Sequence, residues 1–217
     1  MTKSEKSCRH EKLMGSQTPS DRIVPDYAYT DGPDAVKVLA VGKLIVDPWQ
    51  SEVLNDWMGR TEDDVWSAPT CGLSVPRQNG KTLDTSGRIA SGMILYAEWV
   101  IYTAHLQKTA TETFMELRGL FESRGLRKYV KEIKAALGRE QIILKNGGRV
   151  VFVARTRNGG RGLHGDCLVF DEAQELTSEQ QASFLPAISA SRNPQTIYLG
   201  TPPDENCTGT VFRKIRK

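Results

Sequence analysis

Two stretches of this chain carry residues whose types and spacing suit phosphate chemistry. The first is Leu73-Ser74-Val75-Pro76-Arg77-Gln78-Asn79-Gly80-Lys81-Thr82, an apolar run that breaks into a polar loop and ends in Gly-Lys-Thr. A strand turning sharply into a helix leaves the first helical N–H groups without carbonyl partners, and they converge with the positive end of the helix dipole on one point. There Lys81 would reach the β- and γ-phosphates of a nucleotide, Gly80 would let the backbone come close, and the Thr82 hydroxyl would sit on a magnesium ion. The pattern G-x-x-x-x-G-K-[ST] asks for Gly where Val75 stands, and Gly-Lys-Thr alone is also an ordinary helix start after a turn. The second stretch is Cys167-Leu168-Val169-Phe170-Asp171-Glu172, an apolar run ending in adjacent carboxylates. A strand delivers such a pair to its C-terminal edge, where open α/β sheets bind ligands. Asp171 would hold magnesium directly or through water, and Glu172 would orient the water that attacks the γ-phosphate. Read alone, the pair is also a solvated helix cap. In this order along one chain, the two stretches point to nucleotide hydrolysis.

The elements that must position them follow from hydrophobic patterning. Residues 70–75 read as the first core strand and residues 81–97 as the helix after it, the strand-loop-helix context a P-loop requires. Residues 99–103 form a buried-looking strand, and Leu106, Ala110, Phe114, Leu117 and Phe121 give a second amphipathic helix, completing a βαβ unit. A basic helix is expected over 126–137. Residues 141–145 and 149–154 are strand-like runs joined by Asn146-Gly147-Gly148, a strong hairpin signal. Residues 155–165 read as a Gly-rich loop with exposed arginines. Gln195-Thr196-Ile197-Tyr198-Leu199 supplies a further strand whose end, at Thr201, can sense the γ-phosphate or simply turn. Upstream, a helix opens near Pro48. Its Gln50 offers a donor and an acceptor that match an adenine edge, or is an ordinary polar residue of a first helical turn. Residues 1–34 read as an extended or mobile arm and 35–217 as one domain.

A chain of 217 residues holds one α/β domain with a substantial core. Hydrophobic content of 39% and charged content of 25% exclude global disorder. The formal charge of +3 is unevenly spread. Arg124, Arg127, Lys128, Lys131, Lys134, Arg139, Lys145, Arg149, Arg155, Arg157 and Arg161 face only Glu132 and Glu140 in the same segment, leaving the remainder net acidic. Such a block is either a solvated face or a surface for phosphates. Cys8, Cys71, Cys167 and Cys207 form no C-x-x-C pair, and His10, His105 and His164 have no metal-site spacing. No signal peptide and no membrane span are expected.

At this point the residues resemble a known family, the large terminase subunits of tailed bacteriophages, ATP-driven motors that package DNA into procapsids. The resemblance rests on Pro48-Trp49-Gln50, Pro76-Arg77-Gln78-Asn79-Gly80-Lys81-Thr82, Thr103-Ala104-His105-Leu106-Gln107, Arg161-Gly162-Leu163, the run from Leu168 to Gln174, and Leu199-Gly200-Thr201-Pro202. It implies a P-loop NTPase of the RecA-like (ASCE) class, with a mainly parallel central sheet flanked by helices, plus the β-hairpin. It implies ATP and Mg2+ as cofactors, a P-loop that tolerates Val75 and carries Arg77, and an adenine-recognising role for Gln50. Lys81 and Thr82 resemble the phosphate and magnesium ligands, Asp171 and Glu172 the magnesium-linked and catalytic carboxylates, and Thr201 falls in a coupling motif.

The same resemblance places an arginine acting in trans just before the Asp-Glu strand. Arg161 is the first choice, with Arg155 and Arg157 as competitors. The implied partners are double-stranded DNA, a ring of identical subunits, a portal protein and a small terminase subunit. The implied setting is the host cell cytoplasm, with transient docking on the procapsid. Large terminases usually continue into an RNase H-like nuclease domain, whereas this sequence ends at Lys217, so no nuclease activity is expected of it. A helicase-like, nucleic-acid-stimulated ATPase is the alternative.

Overall fold

The computed structural model describes residues 15–136, 138, 140–156, 159–205 and 207–215. Cys8, His10, Arg139 and Arg157, all weighed above, lie outside them. A seven-stranded sheet organises the chain, in the order β3 (Thr70–Ser74), β9 (Gln195–Gly200), β8 (Cys167–Phe170), β4 (Trp99–Ala104), β7 (Arg149–Ala154), β6 (Gln141–Leu144) and β5 (Val130–Lys134). The first five run parallel, and the last two add on antiparallel through the hairpin. Gly147, at φ +98°, supplies the positive dihedral that the hairpin turn needs. A two-stranded ribbon, β1 (Tyr29–Thr30) with β2 (Gly59–Arg60), lies apart from this sheet.

The central strands are buried on both faces, so their sequences read as unbroken apolar runs. Val100, Tyr102, Ala104, Cys167, Val169, Ile197 and Leu199 belong to one core. It is covered by α1 (Gly32–Val41), α2 (Pro48–Trp57), α3 (Lys81–Tyr96) and α4 (Gln107–Glu122). Ile101, Leu168, Phe170 and Tyr198, the alternate positions, pack on the other side against α5 (Ser178–Phe184), α6 (Val211–Ile215) and short 3-10 turns. Cys71 and Cys167 are buried free thiols acting as small hydrophobes.

The helix that carries Gly-Lys-Thr is fixed to the sheet by a buried polar tie. Arg88 of α3 donates to both carboxylate oxygens of Glu98 at 2.6 and 3.0 Å, and to Gln195 Oε1 at 2.8 Å. Glu98 immediately precedes β4 and Gln195 opens β9, so a rotation of α3 would strand a buried charge. Among the described residues no helix is long and apolar enough to cross a membrane.

Two expectations about elements need correction. The basic helix over 126–137 is instead a 3-10 turn, Arg127–Tyr129, followed by strand β5. Its apolar spacing suits a helix, but the exposed edge of β6 offers backbone hydrogen bonds that only a strand can take, and β-branched Val130 and Ile133 fit it. Lys131 and Lys134 then stand exposed on the outer strand, where charge discourages further pairing. The second correction is an element that the patterning did not signal: α1 opens at Gly32-Pro33, with Ala35 and Leu39 buried. Both it and β1 begin before residue 35.

Candidate nucleotide site

Strands β3, β8 and β9 deliver their C-terminal ends to one edge of the sheet. From β3 the chain passes through exposed Pro76, Arg77, Gln78 and Asn79 to Gly80, which takes φ +76° and starts α3. Two features favour glycine at this position. The dihedral is left-handed, and a Cβ would stand 3.0 Å from Gln50 Nε2. Gln78 also takes a left-handed φ of +62°, so the loop is held in a conformation that side chains resist. The result is a helix N-terminus with free amides at Lys81 and Thr82, the local structure that binds phosphate.

Gln50 is buried, with both ends of its amide engaged within the protein. Its Oε1 accepts from the Asp47 N–H at 2.8 Å, closing the first turn of α2, and its Nε2 donates to the Gly80 carbonyl at 3.0 Å. In this geometry it braces the phosphate loop against α2.

Opposite the loop, the Lys81 ammonium lies 3.6 Å from Asp171 Oδ1. Asp171 is held from three sides. Its N–H donates to the Thr103 carbonyl at 2.8 Å, its Oδ1 accepts from the Glu172 N–H at 2.7 Å, and its Oδ2 accepts from the Tyr102 hydroxyl at 2.5 Å. Burial, and next the neighbouring Asp171 carboxylate, push the Tyr102 hydroxyl well above its ordinary pKa, so it remains a donor. Thr113 Oγ1 is its second partner, at 2.9 Å.

Glu172 turns out of the strand at φ +50° and ψ +45°, a left-handed conformation that costs on the order of 1–3 kcal/mol. Its carboxylate reaches the His105 N–H at 3.2 Å and the Thr109 hydroxyl at 3.4 Å. The loop after β4 and the first turn of α4 therefore aim it. Gln174, two residues on, accepts from the Thr201 N–H at 3.2 Å, joining the Asp-Glu segment to the end of β9.

Arg155 corrects the expectation of exposed arginines after β7. It is only 5% exposed and lies beneath the carboxylates, donating to the main-chain carbonyls of Thr103, Asp171 and Glu172. Burial pulls its pKa down to about 10 against the raising effect of Asp171 and Glu172, which leaves it charged at neutral pH. It cannot reach a neighbouring molecule from there. Arg161 is exposed, on a loop whose Gly160 packs against Ser183 and Phe184. It flanks a cleft of about 430 Å3 shared with His164 and Pro186 and forms no ion pair with a described residue. The site thus brings together Gln50, Gly80, Lys81, Asp171, Glu172 and Thr201, and leaves Arg161 on a separate surface. Tyr102 is a member that the sequence reading did not name, and Arg155, weighed there as a trans arginine, is instead part of the site's own support. The signal for Tyr102 in the sequence is a hydroxyl beside that of Thr103 in a mostly apolar strand.

The donor set suits a magnesium nucleotide. Phosphates require the Lys81 ammonium and the free amides of the loop, and magnesium takes hard oxygens such as the Thr82 hydroxyl and the Asp171 carboxylate alongside phosphate oxygens. Asp171 lies 3.6 Å from the Lys81 ammonium.

No protein-family model matches the chain, and no curated protein sequence matches it. Solved structures give a clear likeness. The HK97 bacteriophage large terminase aligns with TM-score 0.69 at 16% identity, over 82% of this chain and 39% of that one. The Thermus phage P74-26 large terminase ATPase domain aligns with TM-score 0.59 at 15% identity, over 85% of this chain and 72% of that one. The fold is that of a large terminase ATPase domain. A thermophilic bacteriophage large terminase in complex with ADP shares this terminase-type fold, with TM-score 0.52 at 14% identity over 79% of this chain and 38% of that one. The chain spans 39% of the length of the HK97 protein. The likeness is one of fold, in which β9 lies between β3, the strand before Gly-Lys-Thr, and β8, the strand before Asp-Glu.

Proposed function

We propose that this chain is a magnesium-dependent ATPase domain whose hydrolysis drives double-stranded DNA into a viral procapsid. The observation that carries this reading is the meeting of Lys81 with Asp171 at 3.6 Å, with Glu172 turned out beside them, within a terminase-type fold. A related solved terminase holds ADP, which supports the choice of an adenine nucleotide.

In this reading the loop amides and Lys81 bind the β- and γ-phosphates, with Arg77 available at the loop's exposed side. Thr82 and Asp171 would hold magnesium, which would supply positive charge against the phosphates. Glu172 accepts a hydrogen bond from the attacking water and orients it in line with the γ-phosphorus, its carboxylate steered by His105 N–H and the Thr109 hydroxyl. Tyr102 and Arg155 keep Asp171 and Glu172 from moving as the lysine shifts from carboxylate to phosphate. Gln174 relays the state of that turn to Thr201 at the end of β9.

Arg161 acts in trans on a neighbouring subunit's γ-phosphate, in a ring of identical subunits that works with a portal protein and a small terminase subunit in the host cytoplasm. An arginine supplied this way contributes about 10³ to 10⁵ in rate. Phosphate release from Mg-ATP, followed over a range of protein concentrations with and without double-stranded DNA, tests the proposal. Turnover per site that rises with concentration supports the shared-site motor. Equal turnover per site at every dilution rejects the trans arginine, and turnover that ignores DNA speaks against a packaging role.

A further inference from the structure

The fold disperses the basic segment of the sequence. Arg155 is in the nucleotide site, Arg161 lies beside α5, and Lys131 and Lys134 stand on the outer edge of β5. Arg124, Arg127, Lys128, Lys145 and Arg149 gather elsewhere, around the hairpin turn and the N-terminal ends of β4 and β7. Arg149 pairs across the sheet with Trp99, whose indole N–H donates to the Gly147 carbonyl at 3.0 Å. Lys145 donates its N–H to the Tyr129 carbonyl at 2.9 Å, and Tyr129 ends the turn that carries Arg127 and Lys128. The Arg127 N–H bonds the Ser123 carbonyl, next to Arg124.

None of these five cations lies within ion-pairing distance of a carboxylate among the described residues. The acids nearby are committed elsewhere: Glu122 to Arg118, Glu98 to Arg88, and Asp166 to Ser191 and the Trp99 N–H. Two of the cations are instead laid over exposed aromatic rings. The Arg149 guanidinium is 3.5 Å from the Trp99 ring centre, and the Lys128 ammonium is 4.9 Å from that of Tyr129. A ring covered by a cation offers less of its face to a nucleobase, while a guanidinium steadied on a ring keeps its N–H groups free for phosphate oxygens. The arrangement suits the backbone of a duplex better than the bases of a single strand.

We propose that this ridge is the surface on which the domain holds the phosphate backbone of double-stranded DNA. The inference rests on the DNA-motor reading above and names the part of the molecule that would meet the DNA. Strand β4 joins the ridge to the nucleotide site: Trp99 stands at one end, and the Thr103 carbonyl that receives Arg155 and Asp171 lies near the other, about 13 Å away at strand spacing.

The test is fluorescence anisotropy of a labelled duplex of about 30 base pairs with the full chain, from about 50 to 200 mM salt. The comparison is between wild type, a triple variant Arg127→Gln/Lys128→Gln/Lys145→Gln, and a β5-edge control Lys131→Gln/Lys134→Gln. The triple variant should bind at least tenfold more weakly, and its log-log salt slope should flatten by about one unit per cation removed. The control should stay within about twofold of wild type, because the same number of charges less one leaves a different surface. DNA-free phosphate release should be the same in all three. Wild-type affinity and slope in the triple variant would overturn the ridge, as would an equal loss in the control, a tighter hold on single strands, or no duplex binding by wild type. Absence of ATP turnover in a wild-type sample that shows the predicted DNA pattern would count against the ATPase reading alone.

Discussion

The Tyr102 hydroxyl donates to Asp171 Oδ2 at 2.5 Å, on the carboxylate whose other oxygen faces Lys81. A residue buried in the middle of β4 thereby sets the orientation of the group assigned to magnesium. Replacing Tyr102 by Phe keeps the ring's packing against Phe152 and removes the hydroxyl that links Asp171 to Thr113. The expected result is a several-fold fall in turnover, a higher magnesium requirement, and a stability loss of about 1 kcal/mol. Magnesium titrations of phosphate release, with urea denaturation alongside, measure both.

Arg155 bridges three main-chain carbonyls, two of them at the turn that exposes Glu172. Truncation to Ala leaves those carbonyls without their donor and is expected to cost about 2–4 kcal/mol. Arg155→Lys should recover little, since one ammonium cannot reproduce the fork. Thermal unfolding of both variants in the absence of nucleotide provides the check. A fully stable Arg155→Ala would contradict the clamp.

Gln50 distinguishes two roles by nucleotide choice. With Oε1 on Asp47 and Nε2 on Gly80, Gln50→Ala removes both bonds, and loss of the one to the phosphate loop should weaken ATP and GTP binding alike, by roughly a factor of five to ten. Calorimetric titration with each nucleotide reads this directly. A loss confined to ATP would return the amide to adenine recognition.

Asp84, one turn into α3, is wholly buried, and neither carboxylate oxygen has a hydrogen-bond partner among the described residues. Burial raises its pKa to about 8, with a further push from Asp47. In the unfolded chain the same group ionises near pH 4, so between about 4 and 8 the folded state holds a proton that the unfolded state has lost. Stability should therefore fall as the pH rises through that window and level off above it. Asp84→Asn should flatten the curve and raise the melting temperature at pH 8, as measured by thermal unfolding across pH 5 to 9.

Much of this site is legible in the sequence because its chemistry is local. Gly80-Lys81-Thr82 needs only a strand before it and a helix after it, and Phe170-Asp171-Glu172 needs only an apolar strand, so a buried parallel sheet brings the two together. What was not legible depends on pairing between distant segments. Arg155 reads as a loop arginine until β7 is placed beside β4 and its carbonyls. The segment over 126–137 has helical spacing, yet Val130–Lys134 within it becomes strand because β6 would otherwise lack a neighbour. Gln50 has the chemistry for adenine, and its bonds to Asp47 and Gly80 become visible only once α2 packs on the phosphate loop.

The most direct test of the central claim is magnesium-dependent phosphate release by wild type and by Glu172→Gln, with ATP binding measured on the same samples. Both proteins should bind ATP with similar affinity, and the variant's turnover should fall by at least about 100-fold, because the carboxylate orients water rather than nucleotide. Unchanged phosphate release in Glu172→Gln would contradict it and remove Glu172 from the chemistry.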